Sequence, residues 1–282
     1  MDKVSRLFIQ EVILQLDHEA NTMKWLSTTW GQIAKSRWLK EEVRLNVYST
    51  DDSEPVFSFN STITNYRMPV DLDDMDEFII RKIAIKGVKE ETNATPFFNP
   101  GCLPLTEKNL NLLREHLSYG WPVKVGVQEH KEHHLVQQLC LVPARVTDLA
   151  IDSMESFKME ALTRNVERGT LRSFHCFSHL NITQDLLSVL WKIVASEKMK
   201  GLLLFVSQSC PFYYETILAD IVDAFLSTER RERFTFEVCS RGKRVCEPLR
   251  KAWSVAEVEY DTNRRHYDKD SVICIRQVKW DF

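Results

Sequence analysis

The chain has 282 residues, 44% of them hydrophobic and 27% charged, the proportions of an ordinary globular protein, which excludes a disordered one. A net charge of -3 and a pI near 6.3 give no global field toward nucleic acid or anionic membrane, so neither is an expected partner, while local patches stay open. Seven cysteines, odd in number and without the dense spacing of secreted scaffolds, point to reduced thiols in a cytoplasmic or nuclear compartment. Gln10 and Glu11 interrupt the place where a signal h-region would lie. The longest apolar stretches, such as Gly201 to Val206, are too short to span a bilayer. The sequons at Asn60, Asn93 and Asn181 then carry little meaning.

Residues 1–42 read as helical. Leu7, Phe8, Val12, Ile13 and Leu16 recur at three- and four-residue steps, and a second run places Trp25, Leu26, Trp30, Ile33 and Ala34 in the same way. Two short amphipathic helices must pack on each other and on something else, either a partner or the rest of the chain.

From Val43 the pattern becomes that of a sheet. Val43 to Tyr48 alternates with period two, Val56 to Ile63 does so in part, and Phe78 to Ile85 reads as a third strand. Asp71 to Glu77 is an acidic turn, and Asn93 to Pro104, with three prolines and a glycine, a loop. Thr106 caps a helix bearing Leu110, Leu113 and Leu117, with Gly120 at its end. Strands are expected at 123–127, 146–151, 171–177, 202–206 and 234–238. Helices are expected at about 184–198, with Asn181 and Gln184 as a capping box, and around 217–225. The starts at 171, 202 and 234 are 31 and 32 residues apart, a repeated strand–helix unit. That spacing suits an open α/β layer or a leucine-rich-repeat-like arc. Residues 255–260 and 271–280 read as a closing antiparallel pair. The expected fold is therefore α+β to α/β: a helical unit over 1–42 and a mixed sheet with repeated strand–helix units over 43–282.

Motifs for catalysis are lacking. No phosphate-binding glycine loop, dinucleotide fingerprint or nucleophile elbow occurs, and no cofactor is expected. His130, His133 and His134 with Cys140 are the best metal candidates, but without a second ligand pair they read as a solvated turn. Cys239 and Cys246 lack redox spacing and read as structural. Between Arg230 and Lys251, Arg230, Arg231, Arg233, Arg241, Lys243, Arg244, Arg250 and Lys251 gather. Such a cluster either reads an acidic or phosphorylated target or is a solvated surface complementing a helix dipole.

The first 38 residues resemble the F-box. Val4-Ser5 stands at its opening, Phe8, Val12, Ile13 and Leu16 match its apolar positions, Glu11 an acidic one, and Leu26, Trp30, Ile33 and Ala34 its closing segment. The whole organisation resembles the nematode F-box and F-box-associated proteins. The resemblance implies a non-enzymatic adaptor: a substrate receptor of a cullin–RING ubiquitin ligase, or a derived binding protein outside the ligase. A Skp adaptor would dock on Val4, Leu7, Phe8, Val12, Ile13, Leu16, Leu26, Trp30, Ile33 and Ala34, and the region from 43 would select an unknown protein substrate.

Overall fold

In the computed structural model the residues described are 4–16, 22–49, 54–68, 70–87, 101–118, 120–128, 133–206, 224, 235–240, 257–259 and 271–276. They form two compact units, one of residues 1–124 and 130–144, the other of 125–129 and 145–282. The fold is mixed α/β, as the sequence pattern implies.

The first unit opens with α1 (Arg6–Leu16) and α2 (Thr29–Trp38). Ser5 Oγ accepts from the Phe8 amide at 3.2 Å and caps α1. Ile9 and Ile13 pack with Ile33 and Ala34, and Leu16, Met23 and Trp30 close over this small core. The turn into α2 needs Gly31, because a Cβ there would collide with the Leu26 carbonyl.

Strands β1 (Glu41–Ser49), β2 (Val56–Ser61), β3 (Arg67–Met68) and β4 (Phe78–Gly87) follow. β1 runs antiparallel to β2 on one side and parallel to β4 on the other. β3 pairs with β2, and so does β5 (Leu103–Pro104). Val43, Leu45 and Val47 are buried on one face, level with Phe57 and Phe59 of β2 and with Ile80, Ile83 and Ile85 of β4. The β4 sequence, Ile79-Ile-Arg-Lys-Ile-Ala-Ile85, breaks strict alternation, and the ladder answers with a one-residue shift: Val43 faces Ile80, but Arg44 faces Lys82. Arg81 is the extra residue of this bulge, and its Nε donates to Glu42 Oε1 at 2.8 Å. The acidic segment expected as a turn is a 3-10 helix, Leu72–Glu77, capped by Asp71.

Helix α3 (Glu107–Leu117) starts at Thr106 as expected, with Thr106 Oγ1 accepting from the Asn109 amide at 3.2 Å. Leu110, Leu113 and Leu117 are buried, and Gly120 lies beyond the helix at φ 75°. Of the solvated turn expected after β6 (Val123–Val127), residues 130–132 lie outside the described ones, and His133 and His134 instead open α4 (His134–Leu141). His133 caps α4 by accepting from the Leu135 amide, and burial, with His134 stacked on it, holds its proton affinity below normal.

The second unit holds β7 (Val146–Ile151), α5 (Ser156–Glu167), β8 (Ser173–Leu180), α6 (Gln184–Ala195) and β9 (Gly201–Val206). β10 (Thr235–Ser240), β11 (Glu257–Glu259) and β12 (Ser271–Arg276) complete it. β7, β8, β9 and β10 are parallel neighbours in chain order, and β12 closes antiparallel to both β10 and β11. The observed starts at 173, 201 and 235 keep nearly the expected spacing. Thr183, not Asn181, caps α6: its Oγ1 accepts from the Leu186 amide at 3.3 Å. The helix expected around 217–225 lies outside the described residues except Ala224.

The loop from β7 into α5 is fixed by a buried charge. Lys158, 2% exposed, donates to Asp152 Oδ1 at 2.9 Å and to Ser153 Oγ at 2.7 Å, and sits 3.2 Å from Glu155 Oε2. Cys176 lies beside this cluster, and its thiol is pushed up to about 11, chiefly by burial.

Two variants test these devices by denaturant unfolding. Lys158→Met strands two carboxylates and is expected to lose about 3 kcal/mol, the low end for a broken buried pair because Glu155 keeps some water. Adding Asp152→Asn should recover part of it; an unchanged midpoint for Lys158→Met would reduce the cluster to ornament. Inserting an alanine between Lys82 and Ile83 puts the rest of β4 out of phase and should lose more than about 4 kcal/mol, whereas deleting Arg81, which removes only the extra residue and keeps Lys82 and Ile83 opposite Arg44 and Leu45, should lose less than about 1 kcal/mol. Equal losses would contradict the bulge.

Candidate functional site

The face of the β1–β4 sheet opposite the apolar core is polar and positively charged. Alternation turns Arg44, Asn46 and Tyr48 of β1 away from Val43, Leu45 and Val47. The register sets Lys82 opposite Arg44, Ala84 opposite Asn46 and Lys86 opposite Tyr48. On the other side Asn60 and Ser58 stand opposite Arg44 and Asn46. Residues directly opposite share a face, so these side chains form one surface. Lys82 is exposed, Arg44, Tyr48 and Lys86 are half-buried, and Asn46 and Ser58 are buried beneath them.

Cations dominate this face among the described residues; Glu42 shares it, two positions before Arg44, with its carboxylate engaged by Arg81. The Lys82 ammonium is held below the usual lysine range first by partial burial and then by Arg44, Lys124 and Lys86, every one a cation. Two buried polar atoms here have no hydrogen-bond partner: Arg44 Nε and Ser58 Oγ. Asn46 Nδ2 donates to Asn60 Oδ1 at 2.7 Å and Asn60 Nδ2 to the Asn65 carbonyl at 2.8 Å, so the amides are held in place. Several cations around a guanidinium Nε with no hydrogen-bond partner, the Glu42 carboxylate nearby being engaged by Arg81, suit an anion with several acceptor oxygens.

The other charge cluster, Lys158 with Asp152, Ser153 and Glu155, is different in kind. Its cation is paired with two carboxylates in the loop from β7 into α5, and we assign it to the fold.

The expected docking residues fall in three groups. Ile13, Ile33 and Ala34 are buried between the two helices, with Leu16 and Trp30 partly buried against them. Val4, Phe8 and Leu26 are exposed, as is Trp25 beside them, and Val12 is half-buried. Leu7 lies in α1, its side chain outside the described residues. Arg230, Arg231, Arg233, Arg241, Lys243, Arg244, Arg250 and Lys251 all lie outside the described residues, as do Cys246 and His130. Among the described residues no group of three His, Cys, Asp or Glu is placed to hold a metal ion, and no helix is long and apolar enough to cross a membrane. Cys102, Cys140 and Cys176 are thiols.

No family model matches the chain, and no curated protein does. A solved structure with some likeness is the protein-(glutamine-N5) methyltransferase, release factor-specific, from Alicyclobacillus acidocaldarius. It is 15% identical, covering 61% of this chain and 89% of that one with a TM-score of 0.21. The likeness is to an enzyme and not to an F-box protein. It corrects the expectation of a non-enzymatic ubiquitin-ligase adaptor or F-box-derived scaffold, and of the F-box and ligase roles with it. At that TM-score it carries no argument for an activity of this chain.

Proposed function

We propose that the chain binds an anionic ligand of the phosphate class on the β1–β4 face of its first unit. The observation that carries this is Arg44, whose Nε–H is buried without an acceptor among cations. A buried donor left unpaired costs about 1–3 kcal/mol, and the like charges around it add repulsion. One phosphate oxygen relieves both. Phosphate is preferred to a lone carboxylate because its further oxygens reach Lys82 or Lys86 while the guanidinium fork is engaged. Ser58 Oγ, one row along the same face, is a second group in need of a partner.

Two finer readings of the fold stand beside this. The chain-order succession of β7, β8, β9 and β10 supports an arc of strand–helix units of the leucine-rich-repeat kind. The helix pair over residues 6–38 is read as F-box-like on its apolar spacing alone, with no ligase role attached.

Calorimetry with inorganic pyrophosphate at low ionic strength tests the anion site. Wild type should bind, and Arg44→Gln and Lys82→Gln should each weaken binding roughly tenfold or more, the loss of one charge-assisted contact. Their melting temperatures should stay close to wild type. An anion favours protonated Lys82, so binding should take up protons and weaken as pH rises through that group's depressed pKa, below the usual 10.5. No heat with wild type, or variants that bind equally well, would overturn the proposal.

A further inference from the structure

The strand registers give the basic face a direction. Arg67 of β3 stands opposite Asn60 of β2, Asn60 opposite Arg44 of β1, and Arg44 opposite Lys82 of β4. These four residues form one row, one per strand, crossing four neighbouring strands on the same face. With strands about 4.8 Å apart the row spans about 14 Å. A single phosphate engages the adjacent Arg44–Lys82 pair and leaves Arg67, beyond Asn60, at the far end. A linear polyanion lying across the strands uses the whole row.

The same face carries what an anion alone does not need. Tyr48, two β1 positions past Asn46, is half-buried on this face opposite Lys86. Asn46, which donates to Asn60 of the row, lies between Tyr48 and Arg44 on β1. An aromatic ring beside a positively charged track is the combination that holds unpaired bases, the ring taking a base and the cations the backbone. A duplex keeps its bases paired inside and has no use for the ring. A phosphopeptide brings isolated phosphates and no repeat to match the row.

We infer that the ligand of this face is a single-stranded nucleic acid, its backbone along Arg67, Asn60, Arg44 and Lys82 and one base against Tyr48. The inference rests on the anion-binding reading above. The chain's overall negative charge does not oppose it, because phosphates in contact respond to the local cations and distant charge is screened over about 10 Å.

The test is fluorescence anisotropy of a labelled oligothymidylate with the full chain at several salt concentrations, beside its duplex with oligoadenylate. Three phosphates neutralised on a single strand predict a slope of log affinity against log salt of about -2. Arg67→Gln and Lys82→Gln should each shallow that slope by about 0.7. Tyr48→Leu should weaken binding roughly five- to hundredfold and leave the slope unchanged, while Tyr48→Phe, which keeps the ring, should retain affinity. Melting temperatures of the variants separate loss of fold from loss of contact. Duplex bound as tightly as single strand, or a Tyr48→Leu variant that folds and binds like wild type, would overturn the inference. Pyrophosphate binding without oligonucleotide binding would overturn it and leave the anion site standing. Failure of both ligands would remove the two together.

Discussion

One inserted residue sets the character of the first unit. Ile79-Ile80-Arg81-Lys82-Ile83 cannot alternate in an unbroken ladder: with Val43 opposite Ile80, the next step would set Arg44 against Arg81 and Leu45 against Lys82, driving an ammonium into the core. Extrusion of Arg81 returns Ile83 and Ile85 to the buried side, facing Leu45 and Val47. The ion pair of Arg81 with Glu42 settles the extra side chain. Apolar residues of β1 and β4 meet on one face because of this shift. For the same reason, their cations meet on the other.

The second unit is organised by repetition. β7, β8, β9 and β10 follow one another in the sheet as they do in the chain, so each helix crosses only to the next strand. Buried Leu149, Ile151, Phe174, Cys176, Leu202 and Leu204 lie along the facing strands and α6 contributes Leu186, Leu190 and Ile193. Lys158 and its carboxylates hold the first of these crossovers by an ion cluster rather than by apolar burial alone.

Much of this was legible in the sequence wherever one periodicity dominates. Val43 to Tyr48 alternates cleanly and is β1, and the leucines after Thr106 fall where α3 buries them. Helix α5 escaped because it buries Lys158 and Asn165 with Phe157, Ala161 and Leu162, so its inner face does not look apolar. Helix α4 has only eight residues, and a histidine caps it where Ser, Thr, Asp or Asn is the usual signal. The anion face was hidden for another reason. Along the chain, Arg44 and Lys82 look like the ordinary solvent side of two strands, and only the pairing of β1 with β4 and the shift at Arg81 bring them together. The contiguous basic run at 230–251 stood out by being local. The F-box likeness rested on apolar spacing, which records that a helix face is covered without recording by what; Ile13, Ile33 and Ala34 are covered by each other's helices.

The central claim is that Arg44 carries an unmet donor awaiting an anion, and the most direct measurement is NMR of the arginine Nε–H resonances during a pyrophosphate titration. The Arg44 Nε–H signal should move the most and exchange with water more slowly once the ligand is bound. A titration that shifts other arginines and leaves the Arg44 Nε–H where it began would contradict the account.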